Sequence, residues 1–385
     1  MASCFVMPAR SVVGTGALKQ AEDYLKEYGR KALIVTGKHV AKSVMMEELK
    51  QTLSEIGIDF VIFDGITGEP TDTMVEEGVM IYQKENCDFC IGIGGGSPLD
   101  SAKAIAAMVV NPGKIADYNG KVIGGKLPPV VAIPTTAGTG SEATKFTIIT
   151  DTRQNIKMLL KGDVLVPALA IVDPEFTVSG PKSITAATGL DALTHAVESY
   201  TSKKASPMTD TLALSAVKRI FTYLPGAYRN GEDRRAREEM SLAALEAGVC
   251  INNASVTIVH GMSRPIGALF HVPHGLSNAM LLKECLGFAL DGALERFAAL
   301  GRAVGAAGET DEDRKAAEKF MGALEELCRA CEVPTLEEYG IKREEFFAVI
   351  DKMSQDAIAS GSPANTIKEV NAGDVRAIYK RLWDE

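Results

Sequence analysis

The stretch DFCIGIGGGSPLDSAKAIAAM, residues 88–108, decides the fold class. Asp88 to Ile93 is short and largely apolar, which fits a buried strand better than a helix. Gly94, Gly95 and Gly96 follow, and Ser97 to Met108 then takes up helical spacing, capped by Ser97 or the nearby Asp100. Glycines at that point let backbone N–H groups approach a diphosphate, and the helix N-terminus supplies partial positive charge. The same glycines would equally serve a tight turn that needs positive φ. A dinucleotide fingerprint of the Gly-x-Gly-x-x-Gly form would follow the first strand of its unit. This segment follows the third predicted strand, so that match fails.

Outward from this stretch, strand-like and helix-like segments alternate. Ala32–Thr36, Phe60–Phe63, Val130–Ile133 and Leu169–Val172 are short apolar runs, whereas Val40–Ile56 and Thr73–Lys84 have helical spacing. Such alternation predicts a parallel sheet covered on both faces. Phe146–Ile149 and Lys157–Leu160 fit a hairpin. A second polar loop, Pro134 to Glu142, also follows a strand, and its hydroxyls suit phosphate, ribose or nicotinamide contacts. Two such loops favour a nucleotide crevice over ordinary turns. From about Pro181 strand-like alternation fades and long helical stretches follow. We expect an α/β, Rossmann-like nucleotide-binding domain over residues 1–180 and an all-helical domain over 181–385.

The composition excludes several classes. Of 385 residues 46% are hydrophobic and 24% charged, which is ordinary for a globular protein. A net charge of -9 leaves no basic excess for a phosphate track, so nucleic acid is not expected as a partner. No apolar run is long enough to span a bilayer, and the first residues lack the apolar core of a secretory signal. A cytoplasmic enzyme with no membrane partner is the expectation. Seven cysteines include two Cys-x-x-Cys pairs, Cys87/Cys90 and Cys328/Cys331. About 240 residues separate the pairs, whereas a zinc ribbon joins its halves within roughly 20, so we read them as small buried apolar groups.

Four of the five histidines fall between His195 and His274. Asp191 and His195 are four apart, on one face of a helix, where a carboxylate and an imidazole could grip one divalent cation. Taken alone, the pair could also be a helix acid beside a core histidine. His271 is three before His274, but Pro273 interrupts any regular helix between them.

The motifs GGGSPLDSAKAIA (94–106), IPTTAGTGSEAT (133–144), TAATGLDALTHAVESY (185–200), HGMSRPIG (260–267) and FHVPHG (270–275) together resemble the iron-containing (group III) alcohol dehydrogenase family, whose fold is shared with dehydroquinate synthase. The resemblance covers nearly the whole chain. It implies metal ligation by Asp191, His195, His260 and His274, with iron(II) expected, although zinc(II) suits the same donors. It implies NAD or NADP contacts by Gly94, Gly95, Gly96, Ser97 and Asp100, by Thr135, Thr136 and Thr139, and by Lys157. The activity implied is NAD(P)-linked interconversion of a primary alcohol or diol and its aldehyde, in a homodimer or larger homo-oligomer. A lyase of the dehydroquinate synthase type is the alternative on this fold.

Two positions depart from the family pattern. Many members have histidine where this chain has Arg264, one helical turn beyond His260. Arg264 would favour a substrate with an acidic end, or else pack or pair at the rim, and His271 becomes a candidate for proton transfer. Many NAD-preferring members have aspartate where this chain has Gly37. Glycine removes the repulsion of a 2′-phosphate, so NADP(H) is expected to be accepted.

Overall fold

The structure, a computed structural model, describes residues 4–154 and 156–383. The chain divides into two compact units, residues 1–180 and 181–385.

In the first unit, five strands are reached in turn: β1 (Arg10–Val13), β2 (Lys31–Val35), β3 (Asp59–Phe63), β4 (Phe89–Gly94) and β5 (Val130–Pro134). An antiparallel hairpin of β6 (Phe146–Asp151) and β7 (Ile156–Lys161) precedes the last strand, β8 (Leu169–Val172). Six of these form one parallel sheet in the order β1-β8-β5-β4-β2-β3. The connecting helices are α1 (Ala17–Gln20), α2 (Glu22–Lys26), α3 (Val44–Glu55), α4 (Asp72–Lys84) and α5 (Gly96–Val110).

Successive strand side chains point to opposite faces, and here both faces are covered. Ala32 and Ile34 of β2 join a core with Leu49 and Leu53 of α3. Leu33 and Val35 join a second core with Val75 of α4 and Ala102 and Ile105 of α5. This explains why the strands read as unbroken apolar runs. Ser43 and Thr71 start α3 and α4 by accepting hydrogen bonds from the amides of Met46 and Met74. Sequence periodicity misses β1, α1 and α2: RSVV is a four-residue edge strand, and the two helices have only one turn each.

The second unit is helical: α6 (Lys182–Tyr200), α7 (Pro207–Arg229), α8 (Arg234–Ala254), α9 (Ile258–Phe270), α10 (His274–Ala289), α11 (Leu294–Ala303), α12 (Asp313–Ala330), α13 (Arg343–Ala359) and α14 (Ala372–Arg381). Helix α6 is buried continuously from Gly189 to Tyr200. Two glycines permit this. A Cβ at Gly189 would stand 2.5 Å from Leu224 of α7, and one at Gly275 would stand 2.3 Å from the Ala187 carbonyl oxygen. Helices α7, α8 and α10 therefore close directly around α6. Among the described residues no single helix is long and apolar enough to cross a membrane.

Candidate active site

Three helices bring four donor groups together. Asp191 and His195 lie one turn apart on α6, His260 lies on α9, and His274 opens α10 directly after Pro273. Their donor atoms all lie within 4.8 Å of one another, the one such group among the described residues. Each of the three Nε2 atoms is 3.7 Å from Asp191 Oδ1. That is too long for a hydrogen bond. It is close to the separation of about 3.4 Å between ligands placed about 2.1 Å from one tetrahedral ion. One carboxylate and three imidazoles suit a borderline divalent cation. Asp191, His195 and His260 are buried, while His274 keeps 47% of its side chain exposed and marks the open side.

A second carboxylate fixes the geometry of the first layer. Glu198, fully buried on α6, meets His260 Nδ1 at 2.5 Å. It also accepts from the Thr257 hydroxyl at 2.7 Å and the Val259 amide at 2.6 Å. One side chain thus caps the start of α9 and holds the proton of His260 on Nδ1, turning the Nε2 lone pair toward Asp191. Burial alone would raise the Asp191 carboxyl, but His195, His274 and His260 outweigh it and hold it below the usual carboxylate range. Burial would lower His260, yet Glu198 and Asp191 push it up to about 9.

The first unit holds a different set of groups. From β2 the chain moves to β3 in one direction, and from β4 to β5 in the other, so the strand order reverses between β2 and β4. Open parallel sheets take ligands at such a reversal, beyond the strand C-termini. Gly37 follows β2 there, and Gly94–Ser97 leads from β4 into α5; the Thr36 hydroxyl, donating to the Ile93 carbonyl at 2.8 Å, ties the two ends. Gly94 has φ 146°, and a Cβ there would stand 2.7 Å from Pro98. Only glycine fits that turn. A Cβ at Gly96 would crowd Thr139 at 3.1 Å, so the two polar loops lie against each other. Among the described residues no side chain caps α5, and the buried Thr136 hydroxyl has no hydrogen-bond partner. Free helix N–H groups beside an unspent hydroxyl fit a diphosphate.

The second loop is held from below. Lys103, fully buried on α5, donates to the Ser141 and Thr144 hydroxyls and the Phe146 carbonyl at 2.9, 3.1 and 3.0 Å. Asp100 accepts from Ser141 Oγ at 2.5 Å and from the Ile148 amide at 2.9 Å. Asp100 therefore turns both oxygens onto the protein and positions the loop. Sequence reading missed Lys103, which a chain alone cannot distinguish from a surface lysine on a helix.

Comparison with known proteins shows the family. Residues 8–174 match the iron-containing alcohol dehydrogenase family model, and residues 185–383 match the family's C-terminal model. The chain belongs to the iron-containing alcohol dehydrogenase family. It is 40% identical over 362 residues to the NAD-dependent methanol dehydrogenase of Bacillus methanolicus, covering 93% of this chain and 95% of that one. It is 34% identical over 386 residues to the NADPH-dependent butanol dehydrogenase of Clostridium saccharobutylicum, covering 98% and 97%. The crystal structure of a 1,3-propanediol oxidoreductase superposes with a TM-score of 0.96 at 34% identity, covering 99% of this chain and 100% of that one. The protein is an oxidoreductase of the alcohol dehydrogenase class, and the lyase alternative is not favoured.

Within this iron-containing alcohol dehydrogenase the remaining candidates fall in distinct places. Arg264 lies one turn after His260 on α9, which carries Pro265 without breaking. It is partly buried and makes no hydrogen bond or ion pair with any described residue; burial lowers its guanidinium and Glu198 acts the other way. His271 ends α9 in the left-handed region, φ 54°, is exposed, and stands outside the four-donor cluster. Lys157 on β7 pairs with Glu69 at 2.5 Å. Gly37 bridges to Gly65, and a Cβ there would stand 2.8 Å from the Ile66 carbonyl oxygen. All seven cysteines are free, and Cys87, Cys90 and Cys331 are buried.

Proposed function

We propose that the chain interconverts a primary alcohol or diol and its aldehyde, with a divalent cation held by Asp191, His195, His260 and His274 and with NAD(H) or NADP(H) held by the two polar loops. The convergence of those four donor atoms within 4.8 Å carries the reading. When bound, the cation supplies Lewis acidity at the alcohol oxygen and the nicotinamide takes up or returns the hydride. Glu198 keeps the proton of His260 on Nδ1, so that ring can offer Nε2 alongside the Nε2 atoms of His195 and His274. The amides of Gly95, Gly96 and Ser97 take the diphosphate at the start of α5, with Thr135, Thr136 and Thr139 on the facing loop and Lys157 toward the ribose. His271, exposed and three residues before His274, passes the alcohol proton to water.

Two refinements concern specificity. The backbone at Gly37 leaves no room for a carboxylate that would repel a 2′-phosphate, and Lys38 and His39 are exposed beside it, so NADP(H) is accepted. Arg264, a partly buried cation with no hydrogen bond or ion pair among the described residues, selects an aldehyde with an acidic end, because a charge-assisted hydrogen bond would offset the loss of its hydration. Family resemblance supports iron(II) in the centre, a homo-oligomer and a cytoplasmic location.

The test is aldehyde-dependent oxidation of NADPH and NADH by protein reconstituted with Fe(II) or Zn(II). A panel of neutral and acidic aldehydes should show turnover that a chelator abolishes. Absence of turnover across the panel would refute the assignment, and a strong preference for NADH would refute the reading of Gly37. Arg264→Ala should lose about tenfold more kcat/KM on acidic than on neutral aldehydes; equal losses would remove the acidic-end assignment.

A further inference from the structure

We propose that Asn278 is a positioning residue of the metal centre, its amide fixing which lone pair of Asp191 Oδ1 faces the cation. The inference rests on the metal reading given above. Asn278 is fully buried on α10, one turn beyond His274. Its Nδ2 donates to Asp191 Oδ1 at 2.7 Å and stands 3.2 Å from His260 Nε2 and 3.3 Å from His274 Nε2. A single amide nitrogen therefore touches three of the four donor atoms.

The other end of the same side chain has no use. Asn278 Oδ1 is buried and makes no hydrogen bond with any described residue. Turned over, the amide would set that oxygen against Asp191 Oδ1, two acceptors facing each other. Its orientation is thus dictated by the nitrogen. A buried acceptor without a partner lowers stability, and an apolar residue of similar volume would avoid that loss. The group present at this position is one whose donor end serves Asp191.

An amide also suits the charge of the site. A cationic donor on Asp191 would compete with a metal ion, whereas a neutral N–H occupies one lone pair and leaves the carboxylate's charge in place. Metal-ligating carboxylates are themselves hydrogen-bonded, and loss of such a partner weakens metal binding by about 10–100-fold. Gly275 allows the approach: its missing side chain lets the first turn of α10 lie against Asp191, whose Cβ is 3.2 Å from where a Cβ of residue 275 would be.

The experiment measures Co(II) binding to the full chain by chelator competition, together with the visible absorption of the bound ion. Wild-type protein should bind one Co(II) per chain; if it does not, the metal reading fails and the role of Asn278 with it, whereas failure of the variants alone to differ from wild type overturns only the latter. Asn278→Leu keeps similar volume without a donor, and should bind Co(II) about 10–100-fold more weakly with a changed absorption spectrum. Asn278→Ser keeps a donor and should fall between the two. Wild-type affinity and spectrum in Asn278→Leu would overturn the proposal. If that variant does not fold by circular dichroism, wild-type values in Asn278→Ser would overturn it instead.

Discussion

Glu198 shows how much one residue carries. Its two oxygens serve the start of α9 and the ring of His260 at once, and it is the main charge raising that imidazole to about 9. Below that pH the ring holds a proton that a cation must displace. Apparent Zn(II) affinity should therefore rise about tenfold per pH unit from pH 6 toward 9 and then flatten. Glu198→Gln should bind Zn(II) roughly 10–100-fold more weakly at pH 9 and should flatten at a lower pH, since the charge that raised His260 is gone. Zinc titration in a chelator buffer across this range reads both effects; an unchanged flattening point would contradict the assignment. Glu142 behaves oppositely. It is buried beside Lys103, and burial pushes its carboxyl up to about 7. The folded chain then holds a proton that the unfolded chain releases, so this contribution to stability is complete below about pH 4.5 and lost as pH rises through 7. Glu142→Gln should be more stable than the parent at pH 8 by about 1–3 kcal/mol, and the gain should vanish near pH 4.5. Urea unfolding at the two pH values checks it.

At the scale of elements, legibility followed local periodicity. Strands β2, β4, β5 and β8 and helices α3, α4 and α5 were readable because apolar runs, helical spacing and capping residues agreed over their whole length. Helices α9 and α10 lack that agreement, and so does the first half of α6, which begins at Lys182. The missed segments contain Gly189, Gly261, Pro265, Gly267 and Gly275, residues of low helix propensity. Burial overrides propensity there: Gly189 and Gly275 are needed so that helices can approach, a requirement no local window contains. The four donors were legible through family resemblance. Asn278, which touches those donors, and Lys103, which holds the second polar loop, were not, because what matters about each is burial and contact across elements. Gly275→Ala tests the packing argument. A Cβ 2.3 Å from the Ala187 carbonyl oxygen cannot be accommodated by a side-chain rotation, so α10 must move away from α6. We expect a loss of about 1–3 kcal/mol or more in stability, and Zn(II) affinity lowered further than stability alone predicts. Unchanged zinc binding in a folded Gly275→Ala protein would show that the contact does not position His274.

On the function proposed above, the two binding tasks fall to different units. All four metal donors, with Glu198 and Asn278, belong to residues 181–385, whereas both polar loops and Gly37 belong to residues 1–180. Each ligand should then stabilise mainly the unit that contains its contacts, since a ligand adds stability only where it binds the folded form in preference to the unfolded one. Free Zn(II) at a thousandfold excess over its dissociation constant is worth about 4 kcal/mol, which a chelator would remove. Hydrogen exchange resolved by segment can locate that energy. On chelation, amides of α6, α9 and α10 should exchange faster, while those of β4, β5 and α5 should change little. Addition of NADPH should slow exchange at 94–100 and 135–142 whether or not metal is present. The helix α12, far in sequence from the donors and carrying none of them, should respond to chelation less than α6 does, because its own core contacts with α11 do not depend on the ion. A uniform acceleration across both units would mean that the cation stabilises the chain as one cooperative body, and the division of labour by unit would not hold. Acceleration confined to 182–200 and 258–289 would place the cation's stabilisation on the three helices that meet at Asp191.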